Sequence, residues 1–186
     1  MNRHSSDRVR VMAAILSAAL LAIGASPAPA AEQNGSTADK KYLLENEPKD
    51  AADVVAVRKD AKDREDVVVV GRVGGRKSPW VKGAAAFSIV DRSLKPCSDL
   101  PGDTCPTPWD YCCEVDLPKF TLLVLVQDAD AKLIKKDARE LLGLKELDTV
   151  YVQGQVKRDK AGNVSILASR FFVVDDTKEG QEKETK

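Results

Sequence analysis

Histidine is nearly absent: His4 is the only one in 186 residues. It falls in a segment that reads as an export signal, so the mature chain is expected to carry none. Without an imidazole, Ser-His-Asp and Cys-His mechanisms and the usual histidine-rich metal sites are excluded. Aromatic residues are few, four Phe, three Tyr and two Trp, which limits any base-stacking surface. An excess of one charge is missing too, with 29 basic and 29 acidic residues. That balance argues against the basic footprint of a nucleic-acid binder and against a polyacid. Long apolar runs are lacking. The longest, Val11 to Gly24, is interrupted by Ser17 and falls short of the roughly 20 residues that cross a bilayer. Cysteine is absent everywhere except Cys97, Cys105, Cys112 and Cys113.

Residues 1–30 have a basic start (Arg3, Arg8, Arg10), the apolar run, and small residues at Ala28-Pro29-Ala30. This is the pattern of a cleaved secretory signal, with no membrane span expected afterwards and a periplasmic or secreted location. Its removal takes three arginines and Asp7 and leaves a net charge near −2. Residues 31–47 are small and polar and read as a flexible leader. Residues 175–186 lack apolar side chains and read as a disordered charged tail. The stretch 48–174 is long enough for one domain with its own core.

Within it, Pro48 to about Lys62 reads as a helix with proline at its first position and Ala51, Val54, Val55 and Arg58 on one face. Asp66 to Val73 and Ala85 to Val90 read as strands. Phe120 to Gln127 is a third, apolar enough to be central. Lys135 to Leu142 suggests a short helix stopped by Gly143. Asp148 to Arg158 is a fourth strand, with Val150, Val152 and Val156 on one face, and Val164 to Val174 a fifth. Asp128-Ala129-Asp130 starts like a calcium loop but lacks the third acid and the glycine, so a turn is expected.

The expected fold is mostly β: a five-stranded Greek-key barrel with an N-terminal helix and a short helix between strands three and four. In VVVVGRVGG, AAFSIVDRS and VYVQGQVKRDKAGNVSILASRFFV the chain resembles exported bacterial OB-fold domains. Gly71 and Gly154 fall inside strands, where a small barrel bends. The resemblance spans about residues 48–174 and implies a ligand-binding barrel rather than an enzyme. The cysteine segment, residues 96–114, is an insertion that such barrels do not require.

That insertion, PCSDLPGDTCPTPWDYCCE, is rich in proline and must be tied down. In an oxidising compartment four clustered cysteines most simply form two disulfides and no cofactor site. A bond between neighbours Cys112 and Cys113 strains the peptide, leaving Cys97–Cys112 with Cys105–Cys113, or Cys97–Cys113 with Cys105–Cys112. The alternative is zinc or copper held by the four thiolates, although the spacing is not the paired C-x-x-C of zinc knuckles.

Trp109 and Tyr111 either cover the barrel end or line a site with Trp80. The loop carrying Arg76, Lys77 and Trp80 combines base and aromatic, and Arg72, Arg92, Tyr151, Lys157, Arg158 and Arg170 extend it as a candidate ligand surface. The expected partner is a small molecule, a peptide or an envelope polymer. A single-stranded nucleic acid or other anion is the alternative.

Overall fold

A computed structural model describes residues 39–174. The segments read as an export signal (1–30), as a leader (up to residue 38) and as a charged tail (175–186) lie outside the described residues. Among the described residues, six strands and two α-helices follow in order, besides three short 3-10 turns: β1 (Ala52–Asp53), α1 (Val54–Asp60), β2 (Asp66–Val73), β3 (Ala86–Val90), β4 (Thr121–Val126), α2 (Ala138–Leu142), β5 (Thr149–Arg158) and β6 (Val164–Val173).

Five of the strands close into a barrel. Neighbours run β2-β3-β4-β6-β5, and β5 returns to pair with β2 from Asp66↔Gln155 to Arg72↔Thr149. All these pairings are antiparallel except β4–β6. The sixth strand, β1, adds two residues in parallel to Val69 and Val70. Among the described residues, closure leaves no long strand edge open to other chains.

The strand positions follow from side-chain alternation. In β4, Leu122, Val124 and Val126 point inward and are fully buried, while Leu123 points out and is 37 % exposed. The apolar run of β4 therefore serves two purposes, core and surface. Val150, Val152 and Val156 face the interior as their period of two requires. They meet Phe87, Ile89, Ile166 and Phe171 in one core, and burying each such side chain contributes about 1.5–3 kcal/mol. In β5 the register shifts between Gln153 and Gly154. A Cβ at Gly154 would lie 2.3 Å from the Leu167 carbonyl oxygen, so only glycine lets β6 approach there.

The first helix differs from the expectation. It begins at Val54 rather than Pro48, because Ala52 and Asp53 are extended against β2 and Asp50 has a positive φ of 60°. Its buried face is Val54, Val57 and Ala61, leaving Val55 exposed. Its start is capped from a distance. Buried Asp91 accepts hydrogen bonds from the Val55 N–H (2.8 Å) and from the backbone and hydroxyl of Ser93. Its end is held by Arg158, which donates to the carbonyls of Arg58 (2.6 Å) and Ala61 (2.8 Å). The second helix is shorter than expected, starting at Ala138 after the Asp137 cap and ending at Gly143 in the left-handed conformation.

The leader contributes to the fold from Asp39 onward. Tyr42 is buried in the core, and the Leu44 N–H donates to the Phe171 carbonyl. Asp128 makes the expected turn, its carboxylate accepting from the Asp130 and Lys132 amides. Among the described residues no helix is long and apolar enough to cross a membrane.

Candidate functional site: an outer groove and a thiol cluster

The insertion between β3 and β4 builds a small second core outside the barrel. Tyr111, Val90 and Leu117 are its buried members, with Leu94 and Phe120 packed on them. Tyr111 packs against Gly74, where a Cβ would meet its ring at 2.8 Å. The Tyr111 N–H also donates to the Gly75 carbonyl. The phenol is buried and its oxygen has no hydrogen-bond partner among the described residues. Burial pushes it up to about 12, against the pull of nearby Arg72.

Three of the four cysteines converge. The Sγ atoms of Cys97, Cys105 and Cys112 all lie within 4.8 Å of one another, with Cys97 and Cys112 at 3.5 Å. No disulfide joins any of the four in this structure, where Cys97 is fully buried and Cys112 and Cys113 are exposed. Cys113 is not a member of the converging set. Backbone bonds set this arrangement. The Cys97 N–H donates to Asp110 O (2.8 Å) and the Ser98 N–H to Pro108 O (2.9 Å), which brings both arms of the loop together. The Cys105 N–H donates to the Asp103 carboxylate. Burial pushes the Cys97 thiol up to about 11. Hydrogen bonding with Thr107 lowers Cys105. At Cys112 the bond with Cys97 pulls down, but burial and the sulfurs of Cys105 and Cys113 leave the thiol raised.

The aromatic and basic candidates do not gather into one site. Trp80 folds back onto the barrel, its ring 5.9 Å from Phe87 and its indole N–H donating to Glu146 at 2.7 Å. Trp109, half-buried, donates to the Lys77 carbonyl. Tyr151 packs edge-on against Phe172 and donates to Glu47. Arg72 pairs with Asp99, Arg92 with Asp53, and Arg158 holds α1. Of the basic residues, Arg76 and Lys157 meet in a different place.

That place is a groove of about 680 Å³ across the outer face of the barrel. Its floor is one transverse row in register: Ser88 opposite Leu123, Leu123 opposite Ser165, and Ser165 opposite Lys157. The β2–β3 loop closes one side with Gly75, Arg76 and Ser78, and the β5–β6 turn the other with Asp159 and Asn163. Arg58, from α1, lies at the rim and donates to Thr121 O at 2.7 Å. Burial lowers the Arg58 guanidinium, helped by neighbouring Arg158. Arg76 and Lys157 have no partner among the described residues. Asp159 is committed to its turn, accepting from Asn163 and Ala161, which holds its carboxyl below the usual range. Among the described residues no aromatic side chain lines the groove.

Sequence reading found Arg76 and Lys157 but missed Ser88, Leu123 and Ser165. The signal for the two serines is a polar residue between inward apolar neighbours, as in Phe87-Ser88-Ile89, whereas Leu123 lies in the apolar run of β4 and carries no such signal. A scan against protein-family models finds no match, and a search of curated proteins finds no similar sequence.

Proposed function

We infer that the protein is an exported OB-fold binding module of the periplasm or cell envelope. Its ligand on this reading is an anionic, hydroxyl-bearing small molecule or saccharide. The strand order, with one parallel seam and a helix between β4 and β5, supports the OB type. The observation that carries the function is the groove itself. It lies on β3 and β4 between the β2–β3 and β5–β6 loops, the face on which OB barrels bind oligonucleotides and oligosaccharides.

The lining favours the saccharide side of that pair. Single-strand binders stack bases on aromatics, and this groove offers serines, Asn163, one exposed leucine and three cations instead. Arg76 and Lys157 supply charge for a carboxylate or phosphate, while Ser88, Ser165 and Asn163 suit hydroxyl groups. Leu123 provides an apolar patch for a sugar ring face.

The test is amide chemical-shift mapping of the mature chain with oligogalacturonate, with its neutral counterpart and with a single-stranded oligonucleotide. Oligogalacturonate is expected to shift Ser88, Leu123 and Ser165, and R76E/K157E to abolish this without lowering Tm. Shifts confined to other faces, or none at low salt, would refute the assignment.

A further inference from the structure

We propose that Cys97, Cys105 and Cys112 form a three-coordinate thiolate site for one copper(I) ion, with Cys113 outside it. The inference is independent of the groove. It starts from the number of sulfurs that converge. Three Sγ atoms within 4.8 Å of one another, the nearest pair at 3.5 Å, match the edges of a trigonal thiolate set. With metal–sulfur bonds near 2.3 Å those edges are roughly 4 Å.

Two disulfides would need a different arrangement. Either pairing of four cysteines that avoids Cys112–Cys113 joins Cys113 to Cys97 or Cys105. The structure instead groups Cys105 with Cys97 and Cys112. A single disulfide within the trio would leave the third thiol beside it, poised for exchange.

The chemistry of the donors selects the ion. The cluster offers soft sulfur and no histidine, which suits copper(I). Zinc in a structural site takes four ligands, and the converging set has three. The thiols give up their protons as the ion binds, so three thiolates enclose one positive charge.

The loop is prepared for this. Its two arms are joined by the Cys97–Asp110 and Ser98–Pro108 backbone bonds, and Tyr111 is seated on Gly74 next to Cys112. The sulfurs are thus held together by hydrogen bonds and packing that need no covalent cross-link. The mixture of one buried and two more accessible cysteines gives an ion a way in.

The experiment uses the full mature chain, recovered from an exporting host and also reduced under anaerobic conditions. The reduced chain is titrated with copper(I) against bathocuproine disulfonate and, separately, with zinc. Native mass spectrometry and copper-edge X-ray absorption provide the readouts. The expected result is one copper per chain with three sulfur neighbours. Cys113→Ser should leave the affinity unchanged. Cys105→Ser, at a half-exposed position and with its fold checked by circular dichroism, should lower it by about a hundredfold or more. An exported chain lighter by four hydrogens, equal losses from Cys113→Ser and Cys105→Ser, or a two-sulfur copper with the third thiol open to alkylation would each overturn the proposal. So would a single zinc retained with all four cysteines protected from alkylation.

Discussion

Asp91 shows how one side chain can start a helix from another element. Its carboxylate, 3 % exposed, accepts three hydrogen bonds, one of them from the Val55 amide in the first turn of α1. Burial alone would raise its pKa, but the bonds from Ser93 and Val55, together with Arg92, hold it below the ordinary value. A carboxyl depressed in the folded state adds stability above its unfolded pKa. That stability is lost as pH falls through the folded value. Asp91→Asn should therefore cost about 1–3 kcal/mol at pH 7. The gap from the parent should close as the acid limb passes below about pH 4. Urea melts of both chains at pH 7 and pH 3 measure this, and a gap independent of pH would show that the charge plays no part. Asp91 was not legible in the sequence as a cap. The sequence pattern places the helix start at Pro48, and Asp53, at the observed N-cap, turns to Arg92 instead of capping the helix.

The strands were the most legible elements. Valine-rich alternation fixes which face is buried, and β2, β5 and β6 fall within a residue of where their patterns put them. The helices were less so, because both are short and their ends are set by tertiary partners rather than by propensity. The groove was the least legible. Its floor joins Ser88, Leu123, Ser165 and Lys157 through cross-strand register, and no local pattern records which residues of different strands stand opposite each other. At this scale the β5 bulge is open to test. Gly154→Ala would place its methyl against Leu167 O and Ala168 Cα and should destabilise by about 2–3 kcal/mol. Hydrogen exchange should rise first across β5 and β6. A melting temperature unchanged from the parent would mean that β6 can shift aside there.

Taken whole, the molecule links its thiol-bearing insertion to its groove, because Leu117 of the insertion's core also lines the groove and Tyr111 bonds to Gly75 at its side. The barrel core sets the groove floor, whereas the insertion has its own small core of Tyr111, Val90 and Leu117. The insertion was legible as a tied-down loop; the grouping of three cysteines without the fourth was not, since spacing alone treats all four alike. The seam between β2 and β5 has a kinetic consequence. Val69 must find Val152, and Gly71 must find Val150, across most of the domain. Contacts so distant along the chain slow the search, and refolding should take milliseconds to seconds rather than microseconds. Stopped-flow dilution from urea, followed by Trp80 and Trp109 fluorescence, measures this, and a microsecond phase carrying the full amplitude would contradict it. During synthesis, β2 waits without its second neighbour until β5 has been made. Until then one edge of β2 leaves its backbone N–H and C=O groups unpaired, which is the condition in which a chain is open to mispairing.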